Sequence, residues 1–445
     1  MIDIYGREWT EEEYLILHKQ GIIQESEVIK ILGINNNRCE RCWNESNSWL
    51  GRFKYKGEVI TYCRQCLDFK MVDNKHYFYR SLLPPKITEN AHVLNVDFKL
   101  SNLQQRASNF AKQILNTQDI GLIWAVCGAG KTEMMFETIS LALKEKKRVC
   151  WAIPRADVVI ELVPRLKQAF PNAKVTGLHG NSDEKSTYAD IVISTTHQLI
   201  RFYQAFDLLI IDEVDAFPYT FDEMLPRFAK KCCKTSCATI FLSATPSKSD
   251  QQAIKKGKLK CCLIPARYHL HSLDIPKFKW AGNIEKGLKK GRLPKVVVLW
   301  IRAKMNEERR ALLFVPTIES GHQLQHALKR SLNLDIPFVY SSDEDRIKKV
   351  REFKEGKGQF LITTMILERG VTIANIDVAI LCAEHEVYEE SALVQISGRV
   401  GRSPKYPHGE IIFFHYGVTQ SMEAARQQIK RMNQSAHKQN LLKEG

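Results

Sequence analysis

A chain of 445 residues can hold two or three domains that each bury a core, which excludes a single small binding module. Apolar residues make up 44% and charged residues 26%, and no block of Gly, Pro, Ser or Gln interrupts them, so an extended disordered tract is excluded as well. Lys and Arg outnumber Asp and Glu by 65 to 50, and this balance of +15 points to a polyanionic partner without specifying a fold.

The opening stretch, MIDIYGREWTEEEYLILHKQ, has neither a basic n-region nor an apolar h-region. No uninterrupted apolar run reaches the roughly 18 residues that span a bilayer, so an intracellular protein is expected. The first 35 or so residues read as short helices, with Thr10 and Glu13 as a capping box ahead of Tyr14, Leu15, Ile16 and Leu17.

A cysteine module follows. Cys39-x2-Cys42, a gap of 20 residues and Cys63-x2-Cys66 have the spacing of a structural tetrahedral zinc site, with four thiolates and no open position for catalysis. A redox pair is the competing view, but two matched pairs without a thioredoxin-like setting favour metal. Between Arg38 and Lys86 there are 10 Lys/Arg and 5 Asp/Glu, interleaved with Trp43, Trp49, Phe53, Tyr55, Tyr62 and Tyr77. Such side chains suit stacking on single strands, or equally the packing of a small core. Cys232, Cys233, Cys237, Cys261 and Cys262 lack ligand-pair spacing and are expected to be reduced thiols. His179, His197 and His385 read as ordinary packing or surface histidines.

After Pro84-Pro85 and a linker, a βα pattern begins near Leu100. Short apolar runs recur at Leu122 to Val126, Val149 to Ile153, Ile191 to Ser194, Leu208 to Ile211 and Thr239 to Leu242. The pattern stops over a lysine-rich stretch from about 266 to 310 and restarts at Ala311 to Val315, Pro337 to Tyr340, Gln359 to Thr363, Val378 to Cys382 and Glu410 to Phe414. Runs of this kind alternating with helical segments are what parallel sheets buried on both faces require, so two α/β domains with a cleft between them are expected. Residues Lys248 to Arg310 hold 17 Lys/Arg against 5 Asp/Glu, a net of +12, and this region is expected near nucleic acid or as a solvated basic surface.

Three motifs carry chemistry. The Leu122–Val126 strand runs into Cys127-Gly128-Ala129-Gly130-Lys131-Thr132 and then a helix, although Ala125 replaces the first glycine of the general pattern. Such a loop aims backbone N–H groups at a phosphate chain, with a lysine for the β/γ-phosphates and a hydroxyl for Mg²⁺. Leu208 to Ile211 then deliver Asp212-Glu213-Val214-Asp215 at a strand end, where Asp212 can hold Mg²⁺ through water and Glu213 can polarise an attacking water. Finally, Gln395-Ile396-Ser397-Gly398-Arg399-Val400-Gly401-Arg402 places two arginines three apart on what should be one face of a helix, suited to charge on a γ-phosphate.

Over about residues 100 to 415 this set resembles superfamily-2 helicases. Gln104 looks like the adenine-reading glutamine, AVCGAGKT is similar to motif I, DEVD to motif II, Ser243-Ala244-Thr245 to motif III, Thr363 to Gly370 to motif V, and QISGRVGR to motif VI. Pro154-Arg155 and Thr195-Thr196 resemble motifs Ia and Ib. The resemblance implies ATP and Mg²⁺ as ligands, held by Gln104, Gly128, Ala129, Gly130, Lys131, Thr132, Asp212 and Gln395. It implies catalysis by Lys131, Asp212, Glu213, Arg399 and Arg402, and coupling through Ser243 and Thr245. Contacts to the DNA backbone would come from Arg155, Thr195, Thr196, Thr363 and Thr364.

More narrowly, an N-terminal four-Cys module before the motor, DEVDAFPY and ALVQISGRVGR together resemble the late-competence DNA-uptake ATPase family, ComFA, over nearly the whole chain. That implies two tandem RecA-like parallel-sheet domains preceded by a zinc module, with boundaries expected at 1–90, 91–270 and 271–445. It implies a translocase or helicase on single-stranded DNA at the cytoplasmic face of the membrane, working with other competence proteins and a membrane DNA channel. The primosomal replication-restart helicase is the alternative within the motor class, but that family carries its zinc cysteines inside the second half of the motor. A non-hydrolysing zinc adapter that binds nucleic acid is the alternative from another class.

Overall fold

The computed structural model describes residues 2–81, 83–180, 182, 187–215, 222–307, 309–368 and 373–443. They form two compact units, residues 1–124 with 131–263, and residues 125–130 with 264–445.

The first unit begins with strand β1 (Glu8–Thr10) and helix α1 (Glu11–Lys19), followed by β2 (Val28–Leu32), β3 (Ile34–Asn35), β4 (Arg38–Cys39), β5 (Leu50–Tyr55), β6 (Glu58–Cys63) and β7 (Tyr77–Ser81). The expected run of short helices reduces to α1 and a single 3-10 turn at Glu25–Glu27. The capping box of α1 is present: Thr10 Oγ1 accepts from Glu13 N–H, and the Glu13 carboxylate accepts from Thr10 N–H at 2.9 Å. The segments on either side are β-branched or aromatic and extend instead, pairing with β7 in the antiparallel order β1-β7-β2. The β3-β4 and β5-β6 pairs are separate two-stranded ribbons.

The same unit continues with α2 (Asn102–Thr117), β8 (Ile120–Ala125), α3 (Lys131–Lys144), β9 (Val149–Ile153), α4 (Ala156–Ala169), β10 (Val175–Leu178), β11 (Ile191–Thr195), β12 (Phe206–Asp212), α5 (Met224–Cys232), β13 (Cys233–Ser243), α6 (Lys248–Lys255) and β14 (Lys260–Ile264). Helix α2 buries Leu103, Ala107, Ala111 and Ile114, the stripe that a 3.6-residue period lays on one face. The sheet order is β10-β11-β9-β12-β13-β8-β14, and every neighbouring pair from β10 to β8 is parallel. Strand order reverses between β8 and β9, so β13 and β12 lie between them, and the turns after β8 and β12 fall at the carboxyl ends where such sheets take ligands.

The second unit contains β15 (Lys277–Trp280), α7 (Ile284–Leu288), α8 (Lys295–Asn306), β16 (Arg310–Phe314), α9 (Ile318–Leu332), β17 (Phe338–Val339), α10 (Arg346–Lys354), β18 (Phe360–Thr363), β19 (Ile376–Ile380), α11 (Glu390–Ser397), β20 (Ile411–His415) and α12 (Gln420–Lys438). Its sheet is fully parallel in the order β15-β20-β19-β16-β18-β17. The βα pattern therefore does not stop over the whole lysine-rich stretch. That stretch supplies the edge strand β15 and helix α8, which buries Val297, Trp300, Ile301 and even Lys304. The Lys304 ammonium is sheltered by three carboxylates, Glu307 at 2.9 Å, Asp377 at 3.0 Å and Glu410 at 3.1 Å, so part of the positive charge is spent inside the fold. No helix among the described residues is long and apolar enough to cross a membrane.

Candidate functional site

Strand β8 ends at Ala125, and the following loop turns through Gly128 at φ +81° and Gly130 at φ +80° before α3 starts at Lys131. Two left-handed glycines within three residues turn successive amides inward, and the Ala129 N–H already bonds the Val126 carbonyl at 3.1 Å. Lys131 and Thr132 open the helix, where its orphan N–H groups favour an anion. Gln104 sits in the first turn of α2, and its Oε1 accepts from Ser101 N–H at 3.0 Å. That capping box holds the carboxamide in one place, buried to 7% exposure.

Asp212 closes β12 and accepts from the Glu213 N–H at 2.9 Å. Glu213 takes a left-handed φ of +56°, which turns the chain sharply at the strand end. Burial pushes the Asp212 carboxyl up to about 6, against the attraction of the Lys131 ammonium and with the repulsion of Glu213. Asp212 and Glu213 thus lie at the carboxyl end of β12, and Lys131 and Thr132 at the start of the helix that follows β8, with β13 between these two strands of one sheet. An aspartate there with Thr132 is an oxygen donor set that fits Mg²⁺. Ala216 to Tyr219, the rest of the DEVDAFPY stretch, lie outside the described residues, as do Arg369 and Gly370 of the motif V stretch.

Asp215 is the residue the sequence reading passed over. Its carboxylate accepts from the Ser243 hydroxyl at 2.7 Å and the Thr245 hydroxyl at 2.5 Å, tying the acidic turn to the end of β13. The letters of DEVD displayed it, but only geometry assigns its partners.

Within the second unit, α11 ends at Ser397, so Arg399 and Arg402 do not share a helix face as expected. Gly398 caps the helix and Gly401 at φ +68° reverses the chain, which converts the arginine-bearing segment into a turn. Arg399 is buried, with its Nε donating to the Glu368 carbonyl at 3.0 Å, whereas Arg402 is half-buried and its Nε donates to the Gly398 carbonyl at 2.8 Å. Gln395 Oε1 accepts from the Cys127 thiol at 3.0 Å, and a Cβ on Gly398 would fall 2.4 Å from the Cys127 Cβ. The phosphate-type loop thus packs closely on this turn. Arg267 and His269, in the lysine-rich stretch after β14, both reach the Gly401 carbonyl.

The five residues expected to face nucleic acid are differently disposed. Arg155 caps α4 half-buried, its guanidinium on Asp157 at 2.8 Å and 3.2 Å, and Thr364 is also half-buried. Thr195, Thr196 and Thr363 are buried, and the Thr363 hydroxyl donates to the Thr364 carbonyl at 3.0 Å. The latter three lie at the carboxyl ends of β11 and β18.

The four module cysteines converge. Cys39 ends β4, Cys42 follows in the turn where Trp43 has φ +56°, Cys63 ends β6 and Cys66 lies in a 3-10 turn spanning Arg64–Phe69. All four are fully buried, and their sulfurs lie within 4.8 Å of one another, with Cys39–Cys66 at 3.7 Å and Cys42–Cys63 at 3.6 Å. A Zn–S bond of about 2.3 Å gives a tetrahedron edge of about 3.8 Å, so this donor set fits Zn²⁺. The module's core is the cysteines with Ile34, Val72 and Phe78, while Trp49, Phe53 and Tyr55 are exposed.

That core runs without a break into Leu199, Ile200, Phe202, Leu225 and Phe228 of the sheet domain. Phe69 meets Phe228 edge-on at 6.1 Å, Arg227 donates to Gln65 Oε1 at 2.7 Å, and the His197 ring lies 6.4 Å from Phe69. His197 is therefore half-buried beside the module, its pKa lowered by burial.

Three family profiles match in chain order: "Competence protein ComFA N-terminal domain" over residues 6–80, "Type III restriction enzyme, res subunit" over residues 97–248, and "Helicase conserved C-terminal domain" over residues 289–404. The chain is 41% identical over 401 residues to competence protein ComFA of Bacillus subtilis (strain 168), spanning 90% of this chain and 86% of that protein. It is 37% identical over 436 residues to competence protein ComFA of Streptococcus pneumoniae (strain ATCC BAA-255 / R6), spanning 98% and 99%. Among solved structures, Mss116p bound to ssRNA and AMP-PNP superposes with a TM-score of 0.56 at 19% identity, over 71% of this chain and 69% of that one, a likeness of fold.

Proposed function

This chain belongs to the competence protein ComFA family, and from that premise we propose that it is an ATP-driven translocase or helicase on single-stranded DNA, serving the uptake of incoming DNA during natural transformation. Supporting this are two RecA-like parallel sheets, each with its motifs at carboxyl strand ends, and a buried four-thiolate cluster.

In this reading the zinc module occupies residues 1–90 and the two RecA-like domains residues 91–270 and 271–445. Gln104 reads the base, and the amides of Gly128, Ala129 and Gly130 with Lys131 and Thr132 bind the phosphates. Asp212 holds Mg²⁺, which neutralises charge on the phosphates, and Glu213 orients water. Arg399, Arg402 and Gln395 serve the γ-phosphate. Cys39, Cys42, Cys63 and Cys66 hold a structural Zn²⁺. Arg155, Thr195, Thr196, Thr363 and Thr364 line the strand path, Thr195, Thr196 and Thr363 through their backbone groups since these residues are buried. The protein acts at the cytoplasmic face of the membrane with other competence proteins and a DNA channel.

One observation carries the motor reading. The acidic turn that ends in Asp215 is bonded to Ser243 and Thr245, so a change at Asp212 and Glu213 on losing phosphate is passed to a neighbouring strand end. A nucleotide can drive motion only by binding two conformations unequally, and this linkage supplies a way to distinguish them.

The test is ATP hydrolysis measured with single-stranded DNA, duplex DNA and RNA, with Lys131→Ala as the inactive control. Strongest stimulation by single-stranded DNA is expected. Greater stimulation by RNA would overturn the uptake assignment, and hydrolysis surviving in Lys131→Ala would overturn the phosphate-loop assignment.

A further inference from the structure

Arg267 follows β14 in a segment with no regular structure, yet it is 1% exposed. Its hydrogen-bond partners among the described residues are two carbonyls: Nη1 donates to Gly401 at 2.7 Å and Nε to Cys127 at 3.4 Å. No carboxylate there pairs with it at ion-pair distance. Asp274 attracts the guanidinium only from beyond that distance, so burying it is costly. A methionine would fill the same volume without that cost, so packing alone does not account for the residue. A planar fork of donors, by contrast, can span two carbonyls that face different ways.

The surroundings are shaped around it. A Cβ on Gly401 would lie 2.5 Å from Arg267 Nη1 and 2.2 Å from the Pro407 carbonyl oxygen, so only glycine fits there. A Cβ on Gly128 would rest on the Arg267 side chain at 3.7 Å. His269 is a second donor to the same carbonyl. Its Nδ1 accepts from the His271 N–H at 3.3 Å, which leaves the proton on Nε2, and Nε2 donates to Gly401 at 3.0 Å.

We propose that Arg267, seconded by His269, is a positioning residue for ATP hydrolysis: it braces the phosphate loop at the Cys127 carbonyl and the arginine-bearing turn at the Gly401 carbonyl, and thereby sets where Arg402 stands. The inference rests on the ATPase reading above. Cys127 and Gly401 flank the two places where this chain would touch the phosphates, the Gly128–Gly130 amides and Arg402. One side chain fixes the spacing of both. Arg267 itself touches no substrate; it acts through the turn.

The experiment compares Arg267→Met, Arg267→Lys and His269→Ala in the full chain, reading kcat and KM with single-stranded DNA and the binding of a fluorescent ATP analogue. Arg267→Met is expected to lower kcat roughly 10- to 100-fold, the cost of misplacing a catalytic group by about 1 Å, with KM and analogue affinity within about threefold. Arg267→Lys, which can reach one carbonyl at a time, is expected to fall between. In an Arg402→Lys background, Arg267→Met is expected to cost no more than about twofold further, because both act through one group. Should Arg267→Met not fold, His269→Ala, which removes one of two donors to Gly401, carries the same expectation of a kcat loss at constant KM.

A kcat within twofold of wild type in folded Arg267→Met, a loss confined to KM, or losses that multiply with Arg402→Lys would each overturn the proposal. Wild-type protein that hydrolyses no ATP would instead overturn the motor reading, and this inference with it.

Discussion

The Asp3 carboxylate accepts a 2.7 Å hydrogen bond from the Arg148 guanidinium, across 145 residues of chain. Both side chains are fully buried, and Arg148 also donates to the carbonyls of Tyr5 at 2.8 Å and Ala189 at 3.0 Å. Five residues on, Glu8 stands between Arg80 at 2.8 Å and Lys231 at 2.7 Å. The N-terminal segment is thus held to the sheet domain by charges that have no water to fall back on. Asp3→Ala is expected to destabilise the unit by about 3–5 kcal/mol, because it leaves Arg148 and Arg7 buried without their counter-ion. Urea unfolding would measure it, and a change below about 1 kcal/mol would contradict the burial argument.

Removing the metal should be felt beyond the module. The thiolates share one apolar core with Leu199 and Phe228, so stripping zinc exposes surface on both sides. One zinc per chain is expected by elemental analysis, and Cys63→Ser should abolish it. A strong chelator should lower the melting temperature of the whole first unit, since binding free energy of structural zinc is folding free energy. Unchanged melting after verified loss of metal would show that the four thiols need no ion.

Asp215→Ala should separate fuel binding from its consequence. The substitution leaves the buried hydroxyls of Ser243 and Thr245 without their acceptor, at about 1–3 kcal/mol of stability. Binding of Mg·ATP is expected to persist, while the stimulation of hydrolysis by single-stranded DNA is lost. Full stimulation in this variant would remove Asp215 from the coupling path.

Acid should weaken nucleotide binding. Burial holds the Asp212 carboxyl at about 6, above its unfolded value of about 3.9, so below pH 6 a proton occupies the position that Mg²⁺ needs. Affinity for Mg·ATP is expected to fall about tenfold per pH unit below 6 and to be flat above 7. The stability sign is the reverse: a raised carboxyl stabilises the nucleotide-free fold fully below about pH 3.9, and that contribution is lost as pH rises through about 6. Asp212→Asn should therefore raise the melting temperature at pH 7.5 and abolish Mg·ATP binding. A lower melting temperature in that variant would show that the carboxylate is not strained by burial.

The parts legible in the sequence were those where chemistry dictates residue type at short range. Glycines that must turn an amide inward, a lysine at a helix start, acids after a buried strand and thiols two apart announce themselves whatever surrounds them, and strands β9 and β12 stood out as unbroken apolar runs. Edge strands did not. The edge strand β15 reads Lys-Phe-Lys-Trp, polar because one side of it faces water, and it vanished into a basic stretch. The helix expected under Arg399 and Arg402 failed because Gly401 takes a left-handed turn that spacing alone does not reveal. Arg267 was invisible for a different reason: an arginine among many basic residues looks solvated until its burial is known.

The pairing of Asp3 with Arg148 and of Glu8 with Lys231 also bears on the order of events at the ribosome. These acids are synthesised ahead of those cations, which follow 145 and 223 residues later. Arg7 and Arg80 are available sooner, but the buried sites that hold Asp3 and Glu8 are completed only by Arg148 and Lys231, so this segment seats itself late in the folding of the first unit.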